Sequence, residues 1–257
     1  MQASEQARLL EGIAEIAYRA GALIMDIYRS DFGVRDKQDA SPVTEADERA
    51  EALILAALEQ LAPACPIVAE EAVGAGKIPQ IGERFWLVDP LDGTKEFISR
   101  NGEFTVNIAL IEAGRPLLGV VLAPALDRLF GGARELGAYV EDEQGRRPIQ
   151  VRRPPAAGLD VVASRSHGDA EALDAFLQGR KVNSQLSAGS SLKLCLVASG
   201  EADLYPRLGR TMEWDIAAGH AVLAAAGGRV QTLQGTELLY GKADFANPHF
   251  VASGAER

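Results

Sequence analysis

Residues Phe85 to Val88, Phe-Trp-Leu-Val, form a short apolar run of the kind shown by a strand buried on both faces, and the run ends in a carboxylate, Asp89. Pro90 has no N–H for a ladder and disfavours helix at the residue before it, so the strand is expected to stop there and a tight loop to begin. Asp92 follows within that loop. Gly93 allows close backbone approach to a ligand, and Thr94 is expected to cap a short helix over Lys95 to Ser99. Two acids and a helix N-terminus then share one small space. Helix N-termini attract phosphate through free N–H groups, and paired carboxylates attract hard divalent cations, so phosphate with magnesium is the joint chemistry. An Asp-rich turn explains the same hexapeptide, because Asp-Gly and Asp-Pro both favour turns. Partners elsewhere in the chain have to decide between the two.

The 257 residues can bury roughly 70–75% of the unfolded surface, enough for one large domain or two moderate ones. A formal net charge of -10 opposes binding to a nucleic-acid polymer, which needs a basic footprint. A small anion can still bind where metals or a few cations reverse the sign locally. The N-terminus lacks the basic and apolar regions of a signal peptide, and no apolar run approaches the ~20 residues of a membrane span. Cys65 and Cys195 lie far apart beside apolar neighbours, as small buried hydrophobes do, and a reducing cytoplasm fits them. Peripheral contact with the inner membrane is left open, and so is the choice between a monomer and a homodimer.

Apolar residues at Leu9, Ile13, Ile16, Ala20, Leu23/Ile24 and Ile27 wind into one stripe and predict a first helix over Ser4 to Arg29. Thr44 and Asp47 have capping-box spacing at the head of a second helix whose inner face carries Ala46, Ala50, Leu53, Ile54, Ala57, Leu58 and Leu61. Asp47 therefore has a purely structural role available to it. Pro66 to Ala69 is a strand candidate that runs into Glu70 and Glu71. Phe104 to Ile111 and Pro116 to Ala123 predict an antiparallel hairpin, with more short strands near Leu129-Phe130, Ala138 to Glu141 and Ile149 to Val151. The Pro- and Gly-rich stretch from Arg152 to Gly158 is the expected boundary, dividing an N-terminal α+β part (1–155) from a C-terminal α/β part (156–257). In the second part, strands are expected at Val161 to Ala163 and Ala202 to Tyr205. Helices are expected at Asp169 to Gln178, Ser190 to Ala198 and Trp214 to Ala226, the last with Asp215 in its first turn.

Asp47, Glu70, Asp89, Asp92 and Asp215 each sit at an element boundary. Carboxylates ~4 Å apart repel by about 4 kcal/mol at an effective dielectric near 20, so their convergence calls for cations or raised pKa values. Oxygen donors without His or Cys point to magnesium or manganese rather than zinc.

Glu70-Glu71, Asp89-Pro90-Leu91-Asp92-Gly93-Thr94 and Trp214-Asp215-Ile216-Ala217-Ala218-Gly219 resemble the signature segments of the inositol monophosphatase family of magnesium-dependent, lithium-sensitive phosphatases. The likeness runs nearly end to end. Lys95-Glu96-Phe97, Asn101 to Asn107, Ser190 to Lys193 and Tyr205-Pro206-Arg207 further resemble its bisphosphate nucleotidase branch. That branch removes the 3′-phosphate of adenosine 3′,5′-bisphosphate, a by-product of sulfate assimilation, and of 3′-phosphoadenylyl sulfate. The resemblance implies a layered αβαβα sandwich in two parts. By the same resemblance, Glu70, Asp89 and the Leu91 carbonyl would hold one magnesium, and Asp89, Asp92 and Asp215 a second. A third, weaker ion would sit near Glu70, with manganese as a substitute. Asp47 and Thr94 would activate the attacking water together with Glu70, and Gly93 and Thr94 would meet the phosphate. Ser190, Lys193 and Arg207 would contact the nucleotide, with His167 near its base. The competing substrates are inositol 1-phosphate and fructose 1,6-bisphosphate. An aspartyl-phosphate phosphatase would space its acids differently, and Gly189-Ser190-Ser191 does not form a serine-hydrolase elbow.

Overall fold

The computed structural model describes residues 1–36, 42–164 and 170–254. In chain order the elements are α1 (Ala3–Tyr28), β1 (Val34–Asp36), β2 (Pro42–Thr44), α2 (Glu45–Leu61), β3 (Ile67–Ala69), α3 (Glu70–Gly74), β4 (Arg84–Asp92), α4 (Thr94–Ile98), β5 (Thr105–Glu112), β6 (Arg115–Ala123), β7 (Arg128–Ala133), β8 (Gly137–Asp142) and β9 (Gly145–Ile149). Then come β10 (Leu159–Ser164), α5 (Ala170–Leu177), β11 (Val182–Ala188), α6 (Leu192–Ala198), β12 (Leu204–Arg207), α7 (Glu213–Ala225), β13 (Arg229–Thr232) and β14 (Phe250–Ser253).

Strands β3 to β9 form a seven-stranded sheet in sequential order, antiparallel except for the β3–β4 pair. A five-stranded sheet follows the order β11-β10-β12-β14-β13. Side-chain alternation on β4 shows how the layers assemble. Trp86 and Val88 join the apolar stripes of α1 and α2 in one core, while Phe85 and Leu87 join α6 and α7 in another. The second core also takes Val162, Tyr205, Phe250 and Ala252 from the second sheet, so α6 and α7 lie between the sheets. The next residues along those strands, Val161 and Leu204, face the other way onto Leu177 of α5. The expected αβαβα sandwich is the result. No helix among the described residues is long and apolar enough to cross a membrane.

Helix α7 sits directly on the first sheet because two paired glycines leave room for it. A Cβ on Gly119 would lie 3.0 Å from the Cα of Ala218, and one on Gly132 2.8 Å from the Cα of Val222. Any side chain there would push the helix, and Asp215 with it, off the sheet.

Several local expectations change. Strand β4 does not stop at Pro90 but runs on to Asp92 through a register shift between Asp89↔Asn107 and Asp92↔Thr105. Pro90 is tolerated because it falls in that bulge, beyond the reach of β3. Thr94 is not the cap of α4; Gly93, at φ 93° and ψ 43°, precedes the helix and Thr94 is its first residue. The strand expected at Ile149 to Val151 lies earlier, at β9, where the Gly145 turn pairs it with β8. Ser190 stands outside α6 at φ 47°, a left-handed conformation that bends the chain into the helix. Strands β11, β13 and β14 carry too little apolar alternation to be read from the sequence.

Candidate active site

Two helix starts and a strand end meet at one carboxylate–hydroxyl pair, Asp47 and Thr94. Thr44 caps α2: its hydroxyl accepts the Ala46 N–H at 3.1 Å, and Asp47 Oδ2 accepts the Thr44 N–H at 2.8 Å and its hydroxyl at 2.7 Å. The capping box thereby turns the other oxygen of Asp47 outward. Oδ1 lies 3.1 Å from the Thr94 hydroxyl, whose second neighbour is the Leu91 carbonyl at 3.4 Å. A single hydroxyl hydrogen serves the nearer, charged acceptor. Asp47, 1% exposed, is both a cap and a hydrogen-bond acceptor for Thr94.

Period-two alternation puts Asp89 on the same face of β4 as Phe85 and Leu87, the face covered by α7, whose first turn carries Asp215. Asp89 is 1% exposed. Its carboxyl is pushed well above the usual range, first by burial and then by the charges of Glu70, Asp92 and Asp215, with the Leu91 N–H at 3.0 Å opposing. Asp215 is raised likewise, by burial and then by Asp92 and Glu70, against the Met212 N–H at 2.8 Å. Asp92 is pushed up to about 6 by burial, while the Lys193 ammonium and the Ser191 N–H at 2.6 Å hold it down. Asp92 and Asp215 keep an edge on a cavity, where water moderates the effect; Asp89 does not. The charges that act on Asp89, Asp92 and Asp215 put these three and Glu70 in one neighbourhood. Among the described residues, no three acids draw together tightly enough to form an ion-holding group as they stand. Backbone N–H groups instead hold one oxygen each of Asp89, Asp92 and Asp215. Oxygen donors that resist ionisation first because they are buried and then because other acids lie near them fit a hard divalent cation, whose charge would offset that cost.

The cavity, about 380 Å³, is lined by Glu70, Asp92, Gly93, Thr94, Ser190, Lys193, Arg207 and Asp215, all anticipated, and by Lys95, Glu96, Ser164, Ser191, Leu194, Tyr205, Arg210, Thr211 and Ile216. Asp47 reaches it through Thr94, and Asp89 lies beneath it. His167 falls outside the described residues. Lys193 and Arg207 share the cavity with the acids. Lys193 is 3% exposed, not a snorkelling side chain: its ammonium donates to the carbonyls of Ala188 and Ser190, and burial lowers its pKa to about 8 despite Asp92. Arg207, 8% exposed, donates from Nη2 to the Arg210 carbonyl at 2.8 Å, and its Nε finds no partner among the described residues. Tyr205 could have been anticipated from its place beside Arg207 at a strand end. Nothing local marks Arg210, Thr211 or Ser164, which arrive through sheet order.

The chain belongs to the inositol monophosphatase family, whose pattern it matches over residues 5–255. It is 50% identical over 250 residues to the 3′(2′),5′-bisphosphate nucleotidase CysQ of Shigella flexneri, covering 95% of this chain and 99% of that one. It is 30% identical over 249 residues to CysQ of Haemophilus influenzae, covering 96% and 93%. Among solved structures it is similar to CysQ from Bacteroides thetaiotaomicron, with a TM-score of 0.80, 37% identity and coverage of 95% and 96%. Inositol monophosphatase from Anabaena follows with a TM-score of 0.76, 27% identity and coverage of 98% and 92%.

Proposed function

We propose that this protein is a magnesium-dependent 3′(2′),5′-bisphosphate nucleotidase that removes the 3′-phosphate of adenosine 3′,5′-bisphosphate, and of 3′-phosphoadenylyl sulfate, to leave the 5′-nucleotide and phosphate. The observation that carries this reading is that one cavity is lined both by acids, Glu70, Asp92 and Asp215, and by two buried cations, Lys193 and Arg207. A monophosphate needs only the first. Half identity over nearly the whole length to enzymes named for that reaction supports the same substrate class.

Glu70, Asp89, Asp92, Asp215 and the Leu91 carbonyl would hold two magnesium ions, with a third, weaker one near Glu70 and manganese as a substitute. Bound there, the metal supplies an acidified water and charge to match the attacking and leaving oxygens. The residues of the chain do the rest. Asp47, acting through the Thr94 hydroxyl, takes the proton of the attacking water, and Glu70 helps to position that water. Gly93 and Thr94 offer backbone N–H groups at the start of α4 to the phosphate oxygens. Ser190, Lys193 and Arg207 take the phosphate that is not cleaved, with His167 toward the base. Two unpaired cysteines accord with a cytoplasmic setting.

Side-by-side turnover of adenosine 3′,5′-bisphosphate, inositol 1-phosphate and fructose 1,6-bisphosphate at saturating magnesium tests the assignment. The highest kcat/KM belongs to the nucleotide; a higher value for either sugar phosphate would overturn it.

A further inference from the structure

A buried amide with an unused donor stands opposite Asp89. Asn107, 0% exposed, is the cross-strand partner of Asp89 on β5, so the two side chains leave the sheet on one face with Cβ atoms roughly 5 Å apart. Asn107 Oδ1 accepts the Ser191 hydroxyl at 2.6 Å. Because that hydroxyl has a single hydrogen, the Thr105 hydroxyl 2.9 Å away must donate to Ser191 Oγ. Asn107 Nδ2 finds no partner among the described residues. Turning the amide over would aim its carbonyl oxygen at the face that carries Asp89, which the carboxylate disfavours. The second acid is tied to the same relay: Asp92 is the cross-strand partner of Thr105 and accepts the Ser191 N–H at 2.6 Å. Thr105, Ser191 and Asn107 thus form one hydrogen-bonded chain whose two ends lie across the sheet from Asp92 and Asp89.

We propose that Asn107 is a positioning residue: held by Ser191 and Thr105 opposite Asp89, it offers its unused Nδ2–H to the Asp89 carboxylate when that carboxylate turns to meet a divalent cation. Ser191 does the same for Asp92 through its backbone N–H. Groups that orient metal-binding carboxylates govern affinity without touching the ion. The inference rests on the magnesium-site reading above.

Magnesium affinity measured by titration calorimetry on the substrate-free protein tests it. Asn107→Leu, which keeps the volume and removes the donor, weakens magnesium binding by roughly 10- to 100-fold. The nucleotide KM at saturating magnesium changes little, and a cooperative melt in EDTA shows that the fold is retained. Ser191→Ala, which releases Oδ1 but keeps the backbone N–H, gives a smaller loss and serves if Asn107→Leu fails to fold. Magnesium affinities equal to wild type in the folded variants overturn the positioning role. A wild-type protein that takes up no magnesium overturns the metal-site reading and this inference with it.

Discussion

The hydroxyl of Thr94 lies 3.1 Å from the carboxylate of Asp47, a residue 47 positions earlier in the chain. That contact joins the first turn of α2 to the first turn of α4. It also separates two tasks on one carboxylate, since Oδ2 completes the cap of α2 while Oδ1 faces Thr94.

Asp47→Asn should therefore lower kcat by roughly 10²- to 10⁴-fold, the usual contribution of a positioned general base, with KM nearly unchanged. The weakened capping box costs about 1 kcal/mol, too little to unfold the protein. Thr94→Ala should match it, and Thr94→Ser should keep most of the rate. Steady-state kinetics with a circular-dichroism melt checks both; wild-type kcat in folded Asp47→Asn removes the pair from the mechanism.

Chelation should abolish turnover and restored magnesium should recover it, while lithium inhibits. Asp89→Asn should remove nearly all turnover yet melt higher than wild type in EDTA at neutral pH. The sign follows from the raised pKa: stability is full below the ordinary carboxylate value and is lost as pH rises toward the folded one, and an asparagine escapes that loss. Undiminished activity in excess EDTA sinks the metal chemistry. Retained turnover in folded Asp89→Asn sinks only the residue's role.

Arg207→Ala separates a nucleotidase from a general sugar phosphatase. A charge-assisted hydrogen bond is worth about 1.5–3 kcal/mol, so kcat/KM for adenosine 3′,5′-bisphosphate should fall by roughly 10- to 150-fold. A contact with a non-reacting phosphate is made equally in ground and transition states, so most of the loss should appear in KM. Monophosphate hydrolysis should change little. An equal loss on both substrates would instead make Arg207, whose Nη2 holds the Arg210 carbonyl, a support for the loop.

His220 makes acid sensitivity measurable away from the acids. Its Nδ1 lies 2.8 Å from the Tyr240 hydroxyl, and burial lowers its pKa to about 4, with Glu237 pulling the other way. Above pH ~6.5 both folded and unfolded chains are neutral at this group. Below it the unfolded chain takes a proton that the folded one refuses, so stability is lost down to about pH 4, by roughly 3 kcal/mol in all. His220→Gln, which keeps a partner for Tyr240 and does not titrate, should flatten that part of the curve. Identical pH profiles of melting temperature for the two proteins would rule the residue out.

The sequence by itself determined the elements whose signals are local. Apolar spacing marks α1 and α2, Thr44 and Asp47 announce their cap, and the apolar runs of β4, β5 and β6 stand out with the acids at their ends. A family likeness in those acidic segments then named the chemistry. Tertiary structure alone decided what those residues meet. The bulge at Pro90 carries β4 on to Asp92 because β5 offers partners on both sides of it. β11 reads Val-Asn-Ser-Gln-Leu-Ser-Ala and exists through its pairing with β10, not through its own pattern. Lys193 turns inward because Ala188 and Ser190 present carbonyls to it. Asp215 reaches the neighbourhood of Asp89 only because Gly119 and Gly132 let α7 lie against the sheet. Periodicity and capping act over a few residues, whereas sheet order and close packing bring together groups more than a hundred positions apart, and no local pattern encodes that distance.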